Sequence, residues 1–341
     1  MSESVGYRPV HEEDLRALGR VQGEAVRWLV AREGGEPSRS NVSDEPSPLA
    51  RHLLRTGRDL WWLAEADGRP VGFSAGIVRG GLWVLSSLFA HPDVHGRGIG
   101  QELLRRCFAA GRARGARVSA IVSSSHASAQ SLYVRLGLVP RFPLFILRGP
   151  VDGLLALPEA SAAEKHPTAR DEWERKLSDL DETVWGRRRK IDHHYWLSEP
   201  SITCRALQGD APGLLGYVYF IPDYIGPLAA RTRRAQLHLL RLAGEALAEA
   251  APEAILVRVP GVNGTVLKAL LNHHFRIDHI NLVMTSRPFG HFDRYLPSGG
   301  VLLKGCPRLR SSFTIVAWLP WAACSEVPVW RERRAIRSIE A

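Results

Sequence analysis

Leu88-Phe89-Ala90-His91-Pro92-Asp93-Val94-His95-Gly96-Arg97-Gly98-Ile99-Gly100-Gln101 is the stretch on which the reading of this 341-residue chain turns. It starts as an apolar strand, breaks at Pro92, and passes through three alternate glycines into a helical pattern. Gly96, Gly98 and Gly100 let the main chain approach an anion with no Cβ in the way. The helix that follows presents its N-terminal amides and positive dipole end to the same place, which suits a pyrophosphate. On the residues alone two other readings stay open, because other nucleotide-binding folds use the same device and a glycine-rich turn can also hold no ligand.

The flanking sequence places this turn in a mixed sheet. Upstream, residues 5–9 read as a short strand, 11–31 as a helix and 48–57 as a second one, separated by the Gly-, Pro- and Ser-rich stretch 34–48, expected to be a long functional loop. Residues 60–66, 71–78 and 82–90 are strand-like, with Asp67-Gly68 as a tight hairpin between the first two. Downstream come a helix from 99 to 114, a strand at 118–123, a helix at 127–136 ended by Gly137, and the closing strands at 138–147. A meander followed by strand–helix crossovers predicts an α/β fold, a mixed sheet covered by helices.

A second stretch lies where strand 118–123 gives way to a helix: His126-Ala127-Ser128-Ala129-Gln130-Ser131-Leu132-Tyr133-Val134-Arg135-Leu136-Gly137-Leu138. Together the two resemble the GNAT superfamily of acyl-CoA-dependent N-acetyltransferases. That family's loop reads Arg/Gln-x-x-Gly-x-Gly/Ala behind a strand ending apolar-x-apolar-x-Pro, and Leu88, Ala90, Pro92, Gly98 and Gly100 match it. Its later signature, Asn-x-x-Ala-x-x-Leu-Tyr-x-x-x-Gly-Phe, is matched by Ala129, Leu132, Tyr133 and Gly137. His95 stands where the family usually has Arg or Gln, His126 replaces the usual Asn, and Leu138 the usual Phe.

The resemblance implies a mostly antiparallel mixed sheet with one splayed parallel strand pair, acetyl-CoA as acyl donor, and no metal. It implies that the backbone of Leu88, Phe89 and Ala90 holds the pantetheine arm. The pyrophosphate would rest on His95, Gly96, Arg97, Gly98, Ile99, Gly100 and Gln101. His126 would help hold the pantetheine or else cap its helix, and Tyr133 would act as general acid for the departing thiolate or else only pack against the cofactor. No carboxylate lies on 82–90 to serve as base; Ser86 and Ser87 could position a water, with Glu24 and Glu65 as remote candidates.

Past residue 150 the first half's order appears again in outline, as a diverged internal repeat. An Ala/Pro/Glu-rich stretch to about 170 reads as linker and 171–190 as a helix. Strands at 202–207, 214–221 and 225–229, a helix at 233–250, a strand at 255–259, a helix at 265–272 and a strand at 276–284 follow. Aligning the repeats sets Asn263 opposite His126, Leu270 opposite Tyr133 and His274 opposite Gly137. The counterpart of the loop, Ala230-Arg231-Thr232-Arg233-Arg234-Ala235, has no glycine to admit a pyrophosphate. The expected organisation is an acetyl-CoA-binding GNAT domain over 1–150, a linker and helical connection over 151–200, and a degenerate GNAT-like domain over 201–341, with one coenzyme A bound per chain.

Composition narrows the partners. A 45% hydrophobic and 23% charged chain of this length supports two folded domains. No long apolar window or basic leader is present, so a cytoplasmic protein with no membrane association is expected. Cys107, Cys204, Cys306 and Cys324 are isolated and read as structural thiols. The net charge of +10 is spread over both halves, and nucleic acid is not favoured as a partner. The densest basic run, Arg187-Arg188-Arg189-Lys190, reads as a solvated helix face or a phosphate patch, and neither His193/His194 nor His273/His274 points to a metal. The expected activity is acetyl transfer to a primary amine on a small molecule or peptide, the alternative being a non-catalytic coenzyme A-binding sensor or scaffold. The oligomeric state is left open.

Overall fold

The computed structural model describes residues 4–32, 46–124, 126–159, 162–165, 169–209 and 213–298. The first half runs β1 (Val5–Pro9), α1 (Leu15–Arg32), α2 (Pro48–Gly57), β2 (Trp61–Ala66), β3 (Arg69–Arg79), β4 (Leu82–Ala90), α3 (Ile99–Ala113), β5 (Val118–Ser123), α4 (Ala127–Arg135) and β6 (Val139–Gly149). Short elements α5 (Val151–Leu155) and β7 (Ala163–Lys165) lead to α6 (Arg170–Val184), α7 (Lys190–Ser198), β8 (Thr203–Gln208), β9 (Gly216–Ile221) and β10 (Tyr224–Ala230). The chain continues through α8 (Arg233–Leu247), β11 (Ile255–Pro260), α9 (Gly264–Asn272), β12 (Arg276–Thr285) and β13 (Tyr295–Leu296). Most of the loop expected at 34–48 lies outside the described residues. No helix of the described residues is long and apolar enough to cross a membrane.

Local chemistry sets several boundaries. Ser47 caps α2 by accepting from the Ala50 amide at 3.1 Å, with Pro48 as first helical residue. Asp67 (φ 50°) and Gly68 (φ 71°) both adopt the left-handed conformation, as a two-residue hairpin matched to the twist of its strands requires.

The strands form one continuous sheet in the order β1-β2-β3-β4-β5-β12-β6-β11-β10-β9-β8-β7. Residues 138–147, expected to close the first half's own sheet, form most of β6 (Val139–Gly149) and do not pair with β5. Their strand β6 lies between β12 and β11, while β12 takes the place beside β5, with Met284 opposite Ile121 and Val283 opposite Val122. Each half thus lends its last strand to the other. Residues 151–170, expected to be linker, hold α5 and β7, and β7 edges the second half's sheet as β1 edges the first. The helix expected over 171–190 ends at Val184; Gly186 (φ 81°) breaks it and α7 begins at Lys190.

Two large apolar cores result. One spans the first half's helices and extends to Trp173, Leu177, Trp185 and Trp196 of the second, and the other packs α8 and α9 against β9 to β11. Cys107 is buried with its Sγ 3.1 Å from the Leu60 carbonyl, and burial pushes its thiol, like that of Cys204, up to about 12.

Candidate active site

The site begins with one extra residue. Along the β3–β4 ladder Gly76 faces Leu85 and Ala75 faces Ser87, so Ser86 is bulged. A bulge bends its strand and disrupts pairing. The parallel ladder between β4 and β5 runs from Leu82 opposite Val118 to Leu85 opposite Ile121 and stops there. Beyond it, residues 87–90 pair with β3 alone, and a cleft opens between β4 and β5. Leu88, Phe89 and Ala90 line its β4 side; all three are half-buried, and Phe89 is anchored on Phe73 with ring centres 5.7 Å apart. The Ser86 hydroxyl oxygen is buried and has no hydrogen-bond partner among the described residues.

β4 delivers the chain to the glycine loop. The amides of His95 and Arg97 donate within it, to Pro92 at 3.1 Å and Val94 at 3.4 Å. Gly96 (φ 79°) and Gly98 (φ 78°) adopt conformations that side chains rarely tolerate, and a Cβ placed on Gly96, Gly98 or Gly100 would meet nothing within 4 Å. The loop therefore faces open space. Gly98 is the N-cap of α3 and contributes no capping side chain, so the first-turn amides of Ile99, Gly100 and Gln101 precede the first helical bond, Glu102 to Gly98 at 3.1 Å. The Glu102 carboxylate, which would oppose an anion there, is held by Arg105 and Arg106 at 2.7 Å each.

The loop is braced from α1. Glu24 lies 3.0 Å from His91 Nε2, and one helical turn on, Trp28 packs edge-on against the His95 ring at 4.6 Å. The His95 side chain, expected to reach a phosphate, donates from Nε2 to the Ala90 carbonyl at 3.1 Å. Glu65, the other remote base candidate, is bound to Arg8 at 2.8 Å, which also grips Asp14 at 2.7 Å.

On the far side of the cleft, His126 is the N-cap residue of α4, half-buried, with no side-chain capping bond. Tyr133 ends that helix's second turn at 7% exposure. Its position is fixed by a Schellman closure: Leu138 donates to the Tyr133 carbonyl at 3.1 Å and Gly137 to Val134 at 2.9 Å, with Gly137 left-handed at φ 79°. Burial pushes the Tyr133 hydroxyl up to about 12, so it is a proton-bearing donor at physiological pH.

The second half repeats this geometry and closes it. His274, aligned with Gly137, is also left-handed (φ 68°), and Phe275 donates to Leu270 as Leu138 does to Tyr133. β10 and β11 run parallel at Tyr224/Leu256 and Ile225/Val257, after which Gly226-Pro227 bulges out at the place of Ser86. Here the gap is filled by the chain itself. β13 pairs antiparallel with β10, Leu296 opposite Leu228 and Tyr295 opposite Ala229, with both β13 residues buried. The helix that should receive a phosphate is capped from within, Thr232 Oγ1 accepting from the Ala235 amide at 3.2 Å.

The basic run at 187–190 is neither a uniformly solvated face nor a phosphate patch. Arg189 is fully buried, pairs with Asp181 at 2.7 Å, donates to Tyr217 and Tyr295 at 2.9 Å each, and stacks on Trp185 at 4.3 Å. His193 completes this network, its Nε2 donating to Asp181 and its Nδ1 accepting from Tyr219, both at 2.9 Å. The adjacent His194 turns instead to Glu174 at 2.9 Å. Among the described residues no group of three or more His, Cys, Asp or Glu side chains is gathered as a metal would require. Sequence reasoning missed the Ser86 bulge, the bracing by Glu24 and Trp28, and β13. The run Tyr295-Leu296-Pro297, short and apolar, was the one available signal for the last of these.

Comparison with known proteins agrees with this fold. Residues 24–138 match the Acetyltransferase (GNAT) family. An uncharacterized N-acetyltransferase of Methanocaldococcus jannaschii is 30% identical over 93 residues, 25% of this chain and 41% of that protein, so the chain spans about two fifths of this relative's length. The fold is shared with a crystal structure from Pyrococcus horikoshii (TM-score 0.64, 16% identity, covering 85% of this chain and 92% of that one). It is shared also with a GCN5-related N-acetyltransferase from Sphaerobacter thermophilus (TM-score 0.57, 16% identity, 85% and 98% covered). A tandem GNAT protein from the clavulanic acid biosynthesis pathway gives a TM-score of 0.54 at 18% identity, with 84% of this chain and 99% of that one covered.

Proposed function

We propose that this chain, whose residues 24–138 match the Acetyltransferase (GNAT) family, transfers an acetyl group from acetyl-CoA to a primary amine of a small molecule or peptide, in the first half alone. The observation that carries the proposal is the continuity of one path. The β4–β5 cleft opened by Ser86 leads along Leu88, Phe89 and Ala90 to a glycine loop whose outer face is open and whose helix is uncapped. That path suits an extended pantetheine arm ending in a pyrophosphate.

Acetyl-CoA supplies an activated thioester, and the chain's own residues do the rest. The amides of Ile99, Gly100 and Gln101 and the α3 dipole bind the phosphates, worth up to ~2 kcal/mol from the dipole alone. Tyr133 donates a hydrogen bond to the departing sulfur. Ser86, with a buried hydroxyl in want of a partner, holds the water that accepts the amine's proton. The second half, its cleft filled by β13, supplies β12 to the first and binds no coenzyme A. The test is thiol release from acetyl-CoA across an amine panel. At least one amine must stimulate release in the native chain and far less in Tyr133→Phe; tight acetyl-CoA binding with no amine-dependent release would instead favour a binding protein.

A further inference from the structure

His91 stands where β4 gives way to the glycine loop, and three bonds meet on it. Its amide donates to the Val71 carbonyl at 2.8 Å, its carbonyl accepts from the Val94 amide at 3.1 Å, and its Nδ1 accepts from the Asp93 amide at 3.2 Å, closing the single turn Pro92–Val94. An accepting Nδ1 leaves the ring proton on Nε2, the atom 3.0 Å from the Glu24 carboxylate. The Asp93 carboxylate lies 3.4 Å from Nδ1 but is 85% exposed, and water screens its claim on that proton. Glu24 thus fixes the tautomer, and with it the turn. Trp28, one helical turn on along the same face of α1, meets the far end of that turn at the His95 ring.

Gly96 and Gly98 come next, both left-handed and both with open space where a Cβ would be. The direction in which the Ile99, Gly100 and Gln101 amides face is therefore set by the 91–95 turn on one side and by α3 on the other. We propose that Glu24 is a positioning residue for the acyl donor: acting through His91, it holds the loop in the conformation that receives the pyrophosphate. Without it the donor itself must order the loop, which weakens binding. Glu24 is not the base, because Ser86, where the cleft opens, precedes His91 by five residues, ~16 Å at ~3.3 Å per residue. The inference rests on acetyl-CoA binding at this loop, as proposed above.

Calorimetric titration of the full chain with acetyl-CoA, joined to thiol-release kinetics, tests it. Glu24→Ala should weaken acetyl-CoA roughly fivefold, the upper range for a half-exposed charged pair, while the thermal midpoint stays near native. In kinetics the loss should appear in the KM for acetyl-CoA, with kcat within about twofold. Glu24→Gln, whose amide oxygen still accepts from Nε2, should restore most of the affinity. In a His91→Ala background, Glu24→Ala should weaken binding no further, since the path through the imidazole is already gone. Three results would each overturn the proposal: affinity within about twofold of native in Glu24→Ala, Glu24→Gln binding no better than Glu24→Ala, or a kcat that collapses in Glu24→Gln with affinity unchanged, which is the behaviour of a base. A native chain that binds no acetyl-CoA would refute the function proposed above, whereas native binding with an undiminished Glu24→Ala refutes this inference alone.

Discussion

Replacing Tyr133 with Phe removes one hydroxyl from a side chain that is 7% exposed and otherwise keeps its packing. Burial holds that hydroxyl at about 12, whereas even a cysteine-like thiol titrates near 8.5. Full proton transfer from Tyr133 to a thiolate would therefore run uphill by about 3.5 pH units, or ~5 kcal/mol at ~1.36 kcal/mol per unit. In the proposed reaction Tyr133 would therefore act as a hydrogen-bond donor to developing negative charge more than as an acid that gives up its proton. A bond to a charged group contributes ~1.5–3 kcal/mol, so Tyr133→Phe should lower kcat by roughly ten- to a hundredfold. Folding stability should change by under ~1 kcal/mol, since no partner among the described residues loses a bond. The assay is thiol release followed from pH 6 to 10. The native enzyme should gain activity as the amine deprotonates and show no falling limb in that range, because the protonated phenol persists well past it. A kcat within twofold of native in Tyr133→Phe, or a descending limb centred near pH 9, would refute this reasoning.

Exchange of β6 and β12 predicts that a chain ending at residue 150 leaves β5 as an unpaired edge and is recovered insoluble, while the full chain is soluble; soluble yield and size-exclusion chromatography check this. The two left-handed helix ends should respond oppositely to substitution. Gly137→Ala destabilises by ~1–2 kcal/mol, and His274→Gly is neutral or stabilising by up to ~1 kcal/mol, as read from urea midpoints. Asp192 joins the halves through a bidentate contact from Arg79 at 2.8–3.0 Å. Burial alone would raise its carboxyl, but the Arg79 charge and the His52 contact outweigh that and hold it well below the usual carboxylate range. Because the folded value is depressed, its stabilisation is present above about pH 4 and lost as pH falls further. Asp192→Asn should therefore cost several kcal/mol at pH 7, of order ~3–5 for a broken buried pair, and only modestly less at pH 3, the rest of the stabilisation being lost at still lower pH as the folded carboxyl itself protonates, measured by denaturant midpoints at both.

What the sequence made legible is whatever rests on local chemistry. The glycines at 96, 98 and 100, the Asp67-Gly68 hairpin and the Gly137 helix end announce themselves, because each backbone conformation admits few residue types. The alignment of His274 with Gly137 was also readable, and the shared left-handed geometry explains it. Strand partnership was not. β6 and β12 are strands of similar length, 11 and 10 residues, and nothing in either one's own sequence states which neighbour it will join. Ser86 was equally silent, since a bulge is a property of two strands and only one of them is in view at a time. Arg189 misled for a related reason: three basic neighbours suggest solvent, while its partners Asp181, Tyr217 and Tyr295 lie 8, 28 and 106 residues away along the chain.

One cleft is open and the other closed in the same chain, and the stoichiometry of acetyl-CoA binding tests that most directly. Calorimetric titration of the full chain should give one site, lost in Gly98→Glu, where a charged side chain is placed at a left-handed position in front of the α3 amides. Two sites per chain, or a single site that survives Gly98→Glu with unchanged affinity, would contradict it.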